Sequence, residues 1–300
     1  MALSLPSSTQ LFSRRSFLTA GLCGAAGLVL YSGEIERHWI EVTQRDIYLR
    51  ALPAAFDGMR LAQISDIHMD EFTEPFFLRQ VIDRVNQLKP DAVFLTGDFV
   101  TAKFTPTPRS NKFARGAAWQ CANILTGLEC RLLYAVLGNH DFGVGASQVS
   151  AALEANGITV LRNACLPIER VGGRIWLAGI DDPLTGHPDL ESAIPEPIRN
   201  QPDEPIVLLC HAPDYADHLL AYPAGQAVDL MMSGHSHGGQ IRVPLLGALV
   251  LPPMGRKYVH GWFKFGRLQL YVNRGIGTIG LPFRFDCPPE ITLITLRAAQ

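Results

Sequence analysis

What the 300-residue sequence has little of narrows its class first. None of its six cysteines (Cys23, Cys121, Cys130, Cys165, Cys210 and Cys287) forms a Cys-x-x-Cys pair, which argues against a zinc ribbon or a thioredoxin-like site. Cys23 lies in an N-terminal apolar run, so five remain for the folded part. An odd number excludes a fully paired disulfide framework, although one Cys121–Cys130 bridge stays open. Charge is sparse: 18% of residues are Asp, Glu, Lys or Arg against 47% hydrophobic, too apolar for a disordered chain. The formal charge is -2, and nothing resembles the basic footprint of a nucleic-acid binder. There is no long like-charge run to mark an interaction tail. No internal repeat, low-complexity tract or linker divides the chain.

Acidic residues are missing altogether from residues 1–32, which hold two arginines. Ser13-Arg14-Arg15-Ser16-Phe17-Leu18 precedes an apolar stretch that reaches about Tyr31. Positive charge followed by a moderately hydrophobic segment is the layout of an export signal. The adjacent arginines with Phe17 and Leu18 resemble the twin-arginine signal, so the expected partner is the twin-arginine export machinery and the expected location the periplasm or cell envelope. The stretch is short for the ~20 residues of a spanning helix, and no convincing A-x-A cleavage site follows it. An uncleaved N-terminal membrane anchor is the alternative. The organisation expected is a signal or anchor over 1–32 and one folded domain over 33–300.

That domain reads as α/β. Short apolar runs suggest strands at Arg60–Ser65, Ala92–Thr96, Leu132–Leu137, Ile175–Ile180, Ile206–Cys210, Leu230–Ser233, Leu268–Val272 and Ile291–Leu296. Their near-continuous apolar character is that of strands covered on both faces. Phe77, Leu78, Val81, Ile82, Val85 and Leu88 follow a 3.6-residue period and predict a helix over Pro75–Leu88, with Thr73 as N-cap. Further helices are expected over about 112–128, 146–156 and 214–221. Helices thin out in the C-terminal third, so a second sheet is expected there. The whole is expected to be two packed mixed β-sheets flanked by helices.

Each polar cluster of interest sits just past an apolar strand: Asp66-Ile67-His68, Gly97-Asp98, Gly138-Asn139-His140-Asp141, His211, and Gly234-His235-Ser236-His237. In open α/β sheets, sites assemble at the carboxyl ends of strands. Carboxylate and imidazole ligands without thiolates suit Mn²⁺, Zn²⁺ or Fe. Asp-x-His and His-x-His are expected on extended segments, where alternate residues share a side. Seven candidate ligands would overfill one metal. Two metals about 3.5–4 Å apart could share a carboxylate and hold a hydroxide for attack on phosphorus.

These five motifs, in this order, resemble the calcineurin-like metallophosphoesterase superfamily. Gly238-Gly239-Gln240, the Tyr271–Gly277 stretch and Cys287-Pro288-Pro289-Glu290-Ile291 resemble its bacterial YaeI/YkuE-type branch. That branch includes twin-arginine-exported members and relatives acting on UDP-diacylglucosamine. The resemblance implies that Asp66, His68 and His237 bind one metal, that Asn139, His211 and His235 bind a second, and that Asp98 bridges them. It gives His140 the role of non-ligand catalytic histidine, with Asp141 orienting the imidazole and Asn139 also reaching substrate. The cofactors implied are two divalent ions, Mn²⁺ foremost. The substrate implied is a phosphodiester or pyrophosphate-linked compound, lipid-linked if the domain works at a membrane surface. UDP-2,3-diacylglucosamine is one such compound. A non-catalytic scaffold of this fold would have lost ligands, and none is lost here.

Outside the motifs, Arg274 follows a late strand and could clamp a substrate phosphate or pin a turn. Phe72, Phe76, Phe77, Phe99 and Phe104, and again Trp262, Phe263, Phe265, Leu281, Phe283 and Phe285, are expected mostly in the core. Any exposed beside the metals would form an apolar patch suited to acyl chains or a membrane surface.

Overall fold

The computed structural model describes residues 14–69, 72–103, 105–201 and 203–299. Ser13 and Phe104 lie outside the described residues. In chain order the first strands are β1 (Glu41–Leu49), β2 (Arg60–Ile64), β3 (Ala92–Thr96), β4 (Leu133–Val136) and β5 (Thr159–Val160). Next come β6 (Ala164–Arg170), β7 (Gly173–Gly179), β8 (Ile206–Leu209), β9 (Leu230–Ser233) and the short pair β10 (Arg242–Val243) and β11 (Gly247–Ala248). The last are β12 (Gly261–Phe265), β13 (Leu268–Val272) and β14 (Glu290–Ala298). One six-stranded mixed sheet has the order β1-β14-β2-β3-β4-β5, the other β12-β13-β9-β8-β7-β6.

Side-chain alternation explains why the sheets stack. Leu61, Phe94, Val136 and Ile294 of the first sheet meet Leu177, Leu209, Met232 and Tyr271 of the second in a shared cluster. Their neighbours Ala62, Val93, Leu95, Ala135 and Leu293 point the other way, into a cluster covered by helices. Successive residues of a strand face opposite sides, so strands apolar throughout must be covered twice. The helices doing the covering are α2 (Pro75–Leu88), α3 (Pro108–Leu125) and α4 (Asn139–Glu154). α2 buries Phe77, Leu78, Val81, Ile82 and Val85, each contributing about 1.5–3 kcal/mol of apolar burial. On the outer face of the second sheet, Leu208, Met231 and Leu270 pack with Ile194, Tyr215 and Leu219.

Several boundaries differ from expectation for local reasons. The N-cap of α2 is Glu74, not Thr73, because Pro75 takes the first helical position. α3 starts four residues before the expected 112, where Thr107 and Ser110 form a capping box. α4 begins at Asn139, and its break at Gly145 (φ 132°) explains why only 146 onward reads as a helix. β1, β6 and β12 escape the apolar-run reading because they are edge strands with mixed burial. All six cysteines are free, so the Cys121–Cys130 bridge is not formed.

Ahead of the domain, α1 (Arg14–Leu30) has no buried residue. With the turns after it, Arg14–His38 is long and apolar enough to cross a membrane, judged by length and composition only. The turns dock on the domain: the amide of Arg284 donates to Ser32 O (3.0 Å), and that of Cys287 to the buried carboxylate of Glu36 (2.7 Å).

Candidate metal centre

The backbone just past the central strands is left-handed. Asp66 and His68 (φ 51° and 49°) follow β2, Asp98 (φ 56°) follows β3, and His235 and His237 (φ 70° and 52°) follow β9. Such conformations cost on the order of 1–3 kcal/mol each and persist only where the surroundings impose them. Here the amides of Asp66 and His68 donate to the carbonyls of Gly97 and Asp98 (both 3.0 Å), and Gly277 N–H to Asp66 O (2.8 Å). The expectation of extended Asp-x-His and His-x-His segments is therefore corrected. The turned backbone sends His235 and His237 into two different ligand groups. Glycines permit the close approach: a Cβ on Gly138 would lie 2.2 Å from Asp98 Oδ1, and one on Gly234 1.8 Å from Ser65 Oγ.

Asp66, His68 and His237 each bring one ligand atom within 4.8 Å of the others, and Asp98, His211 and His235 do the same. All six side chains are buried. His68 Nε2 is 3.1 Å from His237 Nε2, which is 3.3 Å from Asp66 Oδ1. His235 Nδ1 is 3.2 Å from His211 Nε2. Asp98 joins the groups: its Oδ2 lies 3.2 Å from His211 Nε2 and 3.6 Å from His68 Nε2.

Outer partners orient these rings. His211 Nδ1 is 2.6 Å from Thr96 O and His235 Nε2 is 2.7 Å from Pro253 O. A carbonyl only accepts, so those nitrogens carry the hydrogens and the opposite ones face inward. His68 Nδ1 meets Thr101 Oγ1 at 3.0 Å. Asn139 Oδ1 and His237 Nδ1 are buried with no hydrogen-bond partner among the described residues. The orphaned Asn139 oxygen, from a residue lining the same space as Asp98, His235 and His237, fits a divalent cation, which would supply what that acceptor lacks.

The electrostatics agree. Burial pushes His68 down to about 3 and His235 down to about 4, and holds His237 well below its ordinary value. These rings are thus neutral, the form that ligates metal. Burial pushes Asp66 up to about 6. Burial opposes charge on Asp98 as well, but the imidazoles of His211, His140 and His68 hold its carboxyl well below the usual range. His211 responds in kind: burial disfavours its cation, yet the charge and hydrogen bond of Asp98 raise it well above the ordinary value.

His140 stands at the edge of the cluster, its ring centroid 5.0 Å from that of His68. Its Nδ1 accepts the Ala102 amide at 3.0 Å, so the neutral ring carries its proton on Nε2. Asp141 does not orient that ring, which corrects the sequence expectation. The buried Asp141 carboxylate instead accepts the amides of Asp98 (2.8 Å), Phe99 (2.9 Å), Val100 (3.3 Å) and Gly138 (2.9 Å). It is the clasp that holds the Asp98 turn against the start of α4. Burial and the charge of Asp98 push its carboxyl up to about 8, against four amide donors that favour the carboxylate.

Arg274 is also placed differently from the phosphate clamp considered above. Its guanidinium pairs with Glu290 and Glu41, both at 3.0 Å, and it does not line the cavity over the metals. Pinning a turn falls to Arg284, which sequence reasoning missed. Fully buried, Arg284 donates to the carbonyls of Gly277, Cys287 and Arg274. The signal for it was a lone arginine between Phe283 and Phe285. Asn273 is likewise internal, bonding Thr292 Oγ1 and the carbonyl of Glu290.

A cavity of about 420 Å³ opens over the cluster. Asp98, Asn139, His140, His235 and His237 line it together with Ile241, Leu249, Val250, Ile279 and Leu281. Of the aromatics considered above, Phe77 and Phe99 are in the core and Phe76 and Trp262 are exposed. The apolar wall is mainly aliphatic.

Comparisons agree with this geometry. A sequence model of the calcineurin-like phosphoesterase family matches residues 59–239. The chain is 35% identical over 297 residues to the uncharacterized metallophosphoesterase YkuE of Bacillus subtilis, covering 96% of this chain and 99% of that one. It is 31% identical to phosphodiesterase YaeI of Escherichia coli, over 95% of this chain and 100% of that one. It is 28% identical to UDP-2,3-diacylglucosamine pyrophosphatase LpxG of Chlamydia trachomatis, over 88% and 92%. The chain belongs to the calcineurin-like phosphoesterase family, hydrolases of phosphoester bonds.

Proposed function

We propose that this enzyme hydrolyses a phosphodiester or pyrophosphate-linked lipid at the surface of the cell-envelope membrane. The observation that carries the reading is the cavity, in which Asp98, Asn139 and His140 share one space with Leu249, Val250, Ile279 and Leu281. A polar phosphoryl group and an apolar chain thus each find matching surface in it.

Asp66, His68 and His237 would hold one divalent cation, His211, His235 and Asn139 a second, and Asp98 would face both. Mn²⁺ is the ion favoured, although Zn²⁺ and Fe suit the same donors. Such a pair supplies charge neutralisation on the phosphoryl oxygens and lowers the pKa of the attacking water. The protein's own part is to place the phosphorus and to manage protons. His140, with Nδ1 committed to Ala102, would present Nε2–H to the leaving oxygen as a charge-stabilising hydrogen-bond donor. Asp141 keeps Asp98 and the first turn of α4 in register through four amides.

The relative named for UDP-2,3-diacylglucosamine pyrophosphatase activity makes a diacyl sugar nucleotide one substrate of this class. A uridine nucleotide requires the domain on the cytoplasmic face, with α1 as anchor. A twin-arginine-type signal would put it on the other face, with a phosphodiester substrate. Protease accessibility of the domain in sealed spheroplasts separates the two.

The functional test is a screen of the full chain in detergent with Mn²⁺. Substrates are envelope phospholipids, UDP-2,3-diacylglucosamine and bis-p-nitrophenyl phosphate, with Asp98→Ala as control. Cleavage of a lipid substrate that is lost in Asp98→Ala supports the reading. Turnover of the small soluble ester alone overturns it.

A further inference from the structure

The β10–β11 hairpin carries a surface that catalysis does not explain. Residues 244–253 read Pro-Leu-Leu-Gly-Ala-Leu-Val-Leu-Pro-Pro, ten in a row without a charge or a polar side chain. They are not buried as such a run would be in a core. Leu245 is fully exposed, Leu246 and Val250 are each 79% exposed, and Leu249 is 58% exposed. Leu281, across the cavity mouth, is 54% exposed. Five large aliphatic side chains exposed beside one opening exceed the scattered apolar residues normal on a soluble surface.

The hairpin is not a loose loop. Arg242 and Val243 pair with Ala248 and Gly247, Leu249 N–H donates to Ile241 O (3.2 Å), and Ala248 packs so closely on Gly239 that a Cβ there would lie 2.2 Å from its own. Its base therefore rests on the turn that carries His237, and its tip projects outward.

We infer that this hairpin is a membrane contact: Leu245 and Leu246 enter the outer part of a lipid bilayer and hold the cavity mouth against it. This rests on the lipid-substrate reading above and names the surface that would serve it. The covering surface is taken to be a bilayer for two reasons. The first is the position of α1. Ser32, two residues past that exposed apolar helix, accepts the amide of Arg284. Phe285, next along, donates its amide to Gln240 O and accepts that of Arg242, the first residue of the hairpin. Only one short segment thus separates the root of α1 from the base of the hairpin, and a membrane holding one lies beside the other. The second is charge. Arg242 and Arg256 flank the apolar tip, and among the described residues neither guanidinium is paired with a carboxylate. An apolar tip with a basic rim suits the interface of an anionic bilayer.

The test uses the full chain in nanodiscs of phosphatidylethanolamine and phosphatidylglycerol. Cys23, the exposed cysteine, is replaced by serine, and a bimane is attached at Leu246→Cys. Val171→Cys, exposed in the turn before β7 and so at the far end of that sheet from the metals, is the reference. Lipids brominated on their acyl chains should quench the probe at 246 several-fold more than at 171. Equal, weak quenching at both positions overturns the inference. So does shielding of the 246 probe in lipid-free detergent accompanied by a dimer, which would make the hairpin an interface between copies. A second arm compares Leu245→Ser/Leu246→Ser with wild type. Neither residue lines the cavity, so hydrolysis of bis-p-nitrophenyl phosphate should be unchanged while turnover of bilayer-embedded lipid falls about tenfold. Unchanged lipid turnover counts against the hairpin. Quenching as expected in a wild type that cleaves no lipid would instead refute the substrate reading and leave the membrane contact standing.

Discussion

The backbone amide of Ala102 donates to Nδ1 of His140 at 3.0 Å. That one bond settles which nitrogen of a neutral ring keeps its proton, and so which can donate a hydrogen bond to charge developing on a leaving oxygen. His140→Ala removes that donor. The expected outcome is a loss of about 10²–10⁴ in kcat, with metal content unchanged, measured on bis-p-nitrophenyl phosphate with parallel elemental analysis. Loss of metal on the same scale as activity would recast His140 as a ligand.

Asp141 should behave as a structural clasp. In Asp141→Ala four buried amides lose their acceptor, and each unsatisfied buried group costs about 1–3 kcal/mol. A drop of roughly 3 kcal/mol or more in unfolding free energy is expected, with weaker metal binding because Asp98 loses its register. Denaturant unfolding and metal titration read both. A variant of normal stability whose only change is a shifted pH profile would return Asp141 to the role of His140 partner.

Arg284 and Arg274 should separate cleanly. Arg284→Met strips the donors from three carbonyls, those of Gly277 and Cys287 buried, and is expected to destabilise by about 3 kcal/mol or more. Arg284→Lys should recover part of this, since one ammonium reaches fewer acceptors than a guanidinium fork. Arg274→Met leaves the Glu290 carboxylate buried without its partner, so stability should fall while KM for a soluble ester stays put. A raised KM in Arg274→Met with intact stability would reinstate the phosphate clamp.

Metal removal should loosen the molecule as well as silence it. Without cations, Asp66 and Asp98 face one another across buried, mostly neutral imidazoles. Chelation followed by return of Mn²⁺ should lower and then restore the thermal midpoint, by about 2.7 kcal/mol of stability at a free metal concentration 100 times Kd. A midpoint indifferent to chelation would mean that the ligands do not meet in solution.

Much of the centre was legible in the sequence because its ligands stand at strand ends. A buried strand announces itself by an unbroken apolar run, and Ile64, Thr96, Leu209 and Ser233 each close one shortly before a ligand. What was not legible depends on contacts between distant segments. The left-handed backbone at Asp66, His68, Asp98, His235 and His237 carries no glycine to betray it, so both short motifs read as extended. Asp141 stands next to His140 in the chain, which suggested a partnership, yet its oxygens face the turn after β3. Arg274 looked like a free cation because Glu41 and Glu290 are far from each other in sequence. Edge strands β1, β6 and β12 are masked by their half-polar faces. The apolar wall of the cavity was sought among aromatics, whereas the ten-residue chargeless run at 244–253 was its plainest sign.

The central claim is that six buried side chains, with Asp98 as the shared one, hold two cations together with Asn139. Metal stoichiometry of the purified full chain by elemental mass spectrometry, for wild type and Asp98→Ala, tests it most directly. Two divalent ions per wild-type chain, falling to one or none in Asp98→Ala with activity abolished, is the result expected. An active wild type containing no metal, or an Asp98→Ala variant that keeps both ions and full activity, would contradict it.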